Sequence, residues 1–182
     1  MKPNVLWLSL LLASCASNAS VGQLYYDAGK TELASLYFAN AYLEDPNSPE
    51  ALNQLSESVS LATRNLDAGY EQAMQTKKFK KAFAIALRKE QLLMWADQIL
   101  RQNLLSDQVL KQVTQARSMA MKQTMQAVDD SEANEATAGQ RLNLLREALA
   151  LYPDHQEINA RYHRLLTKLK RNISLEPRCG YR

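Results

Sequence analysis

Helical periodicity, unrelieved by strand signals, is what most constrains this chain. Apolar residues recur at steps of three and four, as in Phe79, Ala82, Phe83, Ala86, Leu93, Ala96, Ile99 and Leu100, and no segment carries a run of alternating β-branched residues. A chain of this kind buries its apolar surface by packing helix on helix. Only five Gly and five Pro interrupt its 182 residues, and its abundant Leu, Ala, Gln, Lys and Glu suit helix interiors. The turn signals divide it into expected helices at Ser20–Ala28 (stopped by Gly29) and Glu32–Leu43 (capped by Thr31). A third starts at Pro49 and runs into the sixties, with a break or bend near Asn65–Gly69. Further helices are expected at Lys78–Asn103 and from a Ser106-Asp107 cap to Val128. After a polar break at Asp129-Asp130-Ser131, Asn134 caps Glu135–Leu151, and His155–Asn172 is the last. The expected fold class is all-α.

The first residues have a different character. Lys2 and the amino terminus are positive, and Val5 to Ala13 is an apolar run of nine residues, too short to span a hydrocarbon core of roughly 30 Å. Leu12-Ala13-Ser14-Cys15 follows, with small residues directly before a thiol. This tetrad resembles the lipobox of bacterial lipoproteins. The resemblance implies that residues 1–14 are a lipoprotein signal peptide and that Cys15 becomes the acylated N-terminus, a covalent lipid rather than a cofactor. Ala16 after the cysteine, rather than Asp, resembles an outer-membrane address in the Gram-negative sorting pattern, with the chain lipid-anchored and facing the periplasm. Residues 15–19 are then a short tether, 20–172 the helical domain and 173–182 a C-terminal tail.

The net charge of +3 hides an uneven distribution. Residues 22–71 carry eight acids against two bases, whereas residues 161–182 carry seven bases against one acid. Such asymmetry can steer a partner or an anionic surface, or can be two solvated helix faces. Lys77-Lys78-Phe79-Lys80-Lys81 is the densest basic cluster, and reads as the solvated start of an amphipathic helix. Cys179 is the other of two cysteines. With Cys15 lipidated, it is either a free thiol or a bridge to another chain.

Gly22, Tyr25, Ala34, Phe38, Ala41 and Pro46 stand at separations of three, nine, four, three and five. This spacing resembles the tetratricopeptide repeat, a helix pair of about 34 residues. Leu145 to Asp154 resembles the end of such a repeat through Ala148 and Pro153, with Leu145 in place of Phe and Arg141 in place of the small residue. A strict register from residue 49 sets Gln72 and Gln75 where Phe and Ala belong, so the middle departs from the pattern. The resemblance implies antiparallel helix hairpins in a right-handed stack, irregular in the middle. It also implies a concave groove lined by Gln23, Tyr26, Asp27, Glu50, Asn53 and Glu57. That groove is polar and acidic, suited to a basic or amide-rich peptide.

Motifs for chemistry are missing. His155 and His163 are eight apart and do not share a helix face with a carboxylate, and there is no Gly-x-Ser-x-Gly, phosphate-cradling glycine loop or His-Glu-x-x-His. The expectation is a non-enzymatic protein without metal or cofactor. It would be an adaptor or scaffold for an envelope assembly such as secretion, pilus or outer-membrane machinery. The alternative is a regulator of a peptidoglycan synthase or hydrolase. Expected partners are envelope proteins at or in the membrane, and the membrane itself through the lipid; an envelope address leaves no role for nucleic acid.

Overall fold

The computed structural model describes residues 17–133 and 137–175. Over these residues the chain is all-α, with seven helices: α1 (Asn18–Asp27), α2 (Thr31–Glu44), α3 (Pro49–Gln75), α4 (Phe79–Leu100), α5 (Asp107–Ala133), α6 (Ala138–Leu151) and α7 (Gln156–Leu175). Residues 1–14, expected as a signal peptide, and Cys15, Asn134 and Cys179 lie outside the described residues. No described helix is long and apolar enough to cross a membrane.

The helices form two compact units. Among the described residues, one takes in 17–72 and Ala84–Lys111, the other Ala73–Phe83, 112–133 and 137–175, so the division falls within α3, α4 and α5. The first unit is built on the α1–α2 hairpin. Ser17 caps α1, its hydroxyl accepting from the Ser20 N–H at 3.2 Å. At the other end Gly29 adopts φ +71 while its N–H donates to the Tyr26 carbonyl and the Lys30 N–H to the Tyr25 carbonyl, both at 2.9 Å. These two bonds satisfy the last carbonyls and turn the chain back on itself. The hairpin is antiparallel: Asn18, at the start of α1, donates to Glu44 at the end of α2, at 2.6 Å. Gly22 lets the helices close, because a Cβ there would stand 2.7 Å from the Phe38 ring. Phe38 joins Ala34, Ala39, Leu55, Val59, Leu93, Ala96 and Val109 in the core of this unit.

The second unit has its own core of Val128, Leu145, Ala148 and Ile158, flanked by Met121, Met125, Leu144, Leu149, Tyr162 and Leu165. Arg117 of α5 closes α6. Its Nε donates to the Leu151 carbonyl at 2.6 Å and its guanidinium sits 4.2 Å from the centre of the Tyr152 ring, a cation held where the helix presents unpaired carbonyls. The turns after α2 and α6 have the same form. Asp45 (φ −135, ψ 84) and Tyr152 (φ −140, ψ 85) each donate N–H to the carbonyl four residues back, at Ala41 and Ala148. Each is followed by a proline, which cannot extend the helix.

Several boundaries differ from those read in the sequence. α3 runs through Asn65–Gly69 without a break, because Leu66, Tyr70 and Ala73 continue its buried stripe and Gly69 faces Ile85. α5 runs through Asp129-Asp130-Ser131: the Ser131 hydroxyl donates to the Val128 carbonyl at 2.6 Å, and Asp129 is held by Arg161 at 2.9 Å. Thr31 is not a cap but the first residue of α2, buried, its hydroxyl accepting from Asn65 at 3.3 Å. α6 is capped by Thr137 in a reciprocal capping box with Gln140. α1 begins two residues earlier than expected and α7 extends three residues further, to Leu175.

Lys77 closes α3 as Gly29 closes α1. It has φ 54, its N–H donates to the Met74 carbonyl at 3.1 Å, and the Lys78 N–H to the Ala73 carbonyl at 2.8 Å. A left-handed lysine costs about 1–2 kcal/mol that glycine would not, and glycine's freedom in the unfolded chain takes back about 0.5–1 kcal/mol. Lys77→Gly is therefore expected to stabilise the protein by about 0.5–1 kcal/mol, seen in calorimetry as a melting temperature raised by roughly 2–3 °C.

Candidate functional site

The six residues named above as groove-lining all lie on α1 and α3 of the first unit. Tyr26 and Glu57 meet: the Tyr26 hydroxyl donates to Glu57 Oε1 at 2.8 Å. That bond, then burial and then the negative charge of Glu57, raises the Tyr26 pKa above its usual value, so the hydroxyl stays protonated and donating. The Tyr26 ring leans on Phe38, with centroids 6.4 Å apart, which fixes the hydroxyl from the core side. Gln23 Nε2 donates to Asp27 Oδ1 at 2.7 Å, one turn along α1. Glu50 and Asn53 are exposed on α3 and share the face of Glu57 by spacing.

That face continues. Glu50, Asn53, Glu57, Ser60 and Arg64 step by three and four along α3, and all are exposed. Ser60 and Arg64 also line a cleft of about 350 Å³ in the same unit. Its apolar floor is Val59, Leu93, Leu100, Leu104 and Val109, and its walls are Ser56, Ser60, Thr63, Arg64, Lys89, Gln102 and Ser106. The guanidinium of Arg64 makes no ion pair among the described residues. Lys89 is only 6% exposed, and its ammonium donates to Asp67 Oδ1 at 2.5 Å. The segment after α4 that supplies Gln102 and Leu104 is held by Asp97, which accepts the Leu104 N–H at 3.1 Å. Within it Arg101 (φ 54) and Asn103 (φ 30) have left-handed backbone, strain that persists where the surroundings enforce it.

Sequence reasoning named the acidic half of this surface and missed the cleft at its end. A signal was available. Lys89 interrupts the apolar stripe Ala82, Ala86, Leu93, Ala96 of α4 at a core position, and a lysine there needs an anion close by.

An exposed polar stripe leads to an apolar-floored cleft with the Arg64 guanidinium in its wall. Among the described residues no three His, Cys, Asp or Glu gather where they could hold a metal. His155 and His163 are both exposed, His163 edge-on to the Tyr162 ring at 5.6 Å. In the basic cluster, Lys80 pairs with Glu147. Comparison with protein-family models, curated proteins and solved structures finds no match to the chain.

Proposed function

We propose that this chain is a lipid-anchored helical adaptor of the bacterial envelope, held through Cys15 at the outer membrane and facing the periplasm. Its hairpins stack in the manner of tetratricopeptide repeats, and it captures a segment of a partner protein along α1 and α3. The observation that carries the reading is the continuous polar stripe from Glu50 to Arg64 ending at an apolar cleft. A basic or amide-rich segment in extended form would lie along Glu50, Asn53 and Glu57, beside the fixed Tyr26–Glu57 pair, and seat an apolar side chain over Leu93, Leu100 and Val109. Pockets of this size and lining fix one anchoring group. The repeat-like hairpin is supported by Gly22 against Phe38 and by the matching turns after α2 and α6.

The test is capture of partners by crosslinking in the native envelope. Reversing Asp27, Glu50 and Glu57 to lysine is expected to reduce capture about tenfold, a change of roughly 1.4 kcal/mol, while circular dichroism stays unchanged because all three side chains are exposed. Undiminished capture by the folded triple variant would overturn the groove.

A further inference from the structure

The outward face of α2 does not fit a helix that looks onto water. Its inner side is buried through Ala34, Phe38, Ala39 and Ala41. Its outer side should therefore be polar, yet Leu33 is 44% exposed, Leu36 45% and Leu43 60%. Spaced by three and seven, they form one stripe interrupted only by Asn40. Apolar residues thus stand on the outward side of α2 as well as on its buried side, more than a helix facing water needs. Isolated exposed leucines need no explanation, but a row of three along one helix marks a contact.

The position of the N-terminal segment says what that contact is. Ser17 caps α1, and Asn18 donates to Glu44 Oε1 at 2.6 Å, so the chain enters the fold beside the C-terminal end of α2, next to Leu43. Cys15 is three residues before Asn18 and can lie no more than about 11 Å from it. Acyl chains on Cys15 would reach hydrocarbon within a few side-chain lengths of the leucine stripe. The flanking groups suit a headgroup layer. Tyr25 and Tyr37 stack at 5.2 Å with Lys30 above the Tyr25 ring at 5.8 Å, amphipathic side chains of the kind that sit where lipid meets water. Glu32, which would oppose entry, is neutralised by Arg88 at 2.6 Å.

We propose that the outward face of α2, through Leu33, Leu36 and Leu43, lies in the interfacial layer of the same membrane that holds the Cys15 lipid. The proposal rests on Cys15 being lipidated. The lipid supplies attachment and α2 supplies orientation, so that the first unit is fixed against the bilayer rather than swinging from a tether. The contact is apolar, so it does not need anionic lipid and does not weaken with salt, unlike a polybasic attachment.

The experiment uses the full lipidated chain in vesicles of phosphatidylethanolamine and phosphatidylcholine. With Cys179→Ser in the background, an environment-sensitive fluorophore is attached at Leu36→Cys or, as control, at Gln98→Cys, an exposed position on α4. The label at position 36 is expected to shift to the blue and to be quenched about twofold by lipids spin-labelled near the headgroup, with position 98 unaffected and no change at high salt. If the protein stays on the vesicles while the label at 36 reports water, the α2 proposal falls and the anchor stands. If mass spectrometry finds no lipid on Cys15 and the protein stays in solution, the anchor reading falls and takes this proposal with it. If the label at 36 is equally shielded in unlipidated Cys15→Ser protein without vesicles, another protein segment or copy covers the face and the proposal is overturned.

Discussion

Phe38→Ala is expected to destabilise the first unit by about 3–5 kcal/mol, a large share of the roughly 5–15 kcal/mol that holds a typical domain together. Phe38 is 1% exposed and is the largest fully buried side chain. It fills the space that Gly22 leaves open, with a ring edge 2.7 Å from where a Cβ would stand. Gly22 has no side chain to move into the cavity that alanine leaves. The converse change has an opposite fault. Gly22→Ala drives a methyl group into the ring, an overpacking cost of about 1–3 kcal/mol, against which alanine's helix preference returns about 1 kcal/mol. In the double variant the new methyl enters the space the ring vacated, so the two costs should sum to more than the pair loses. Urea unfolding followed by Trp95 fluorescence measures this: Trp95 packs on the core of the first unit, and the only other tryptophan, Trp7, lies outside the described residues. Leu36→Ala, on the exposed face of α2, should change the same transition by less than about 0.5 kcal/mol.

The helix-on-helix fold was legible because its signal is redundant. Many residues carry the three–four periodicity, Gly29 marks one turn, and the turns at Pro46 and Pro153 repeat one chemistry at separate places. Boundaries were less legible where local preference and tertiary contact disagree. Gly69 and the run Asp129-Asp130-Ser131 look like breaks taken alone. Packing against Ile85 in one case, and a bond to Arg161 in the other, keep the helices going. Those partners lie sixteen and thirty-two residues away, beyond any local window. Thr31 was misread for a related reason. A threonine before an apolar run resembles a cap, but this one is buried and bonded to Asn65.

The site was legible by halves. Tyr26 and Glu57 are 31 residues apart, and the repeat-like spacing set both on one surface before any contact between them was visible. The cleft depends on Arg64, Lys89 and the segment Arg101–Ser106, which follow no repeat position. Their relation comes from α4 folding back along α3 and from two left-handed residues after it. Non-glycine residues with that backbone carry no mark in the sequence. The leucine stripe of α2 became apparent only from the exposure of Leu33, Leu36 and Leu43.

The Asp67–Lys89 pair should break unequally according to which partner is removed. Lys89 lines the cleft, and the exposure of the two partners differs: the Lys89 side chain is 7% exposed and that of Asp67 35%. Asp67→Ala removes a carboxylate to which the Lys89 ammonium donates, and breaking a buried pair from one side costs about 3–5 kcal/mol when burial is complete. The partial access of Asp67 means that water can enter where its carboxylate stood, which lowers the expected cost to about 2–3 kcal/mol. Lys89→Met is milder. Its methylenes already pack in the stripe between Ala86 and Leu93, methionine keeps that volume, and the remaining carboxylate can turn to solvent, so the cost should be below about 1 kcal/mol. The double change Asp67→Leu with Lys89→Met removes both desolvated charges and should lie close to the wild type, as replacement of buried pairs by apolar residues commonly does. Urea midpoints at neutral pH for the three variants decide the matter. Equal losses for the two single changes would mean that the pair behaves as a surface bridge and that Lys89 is not shielded. The ordering expected would instead show that α3, through Asp67, stabilises the lysine in the core stripe of α4.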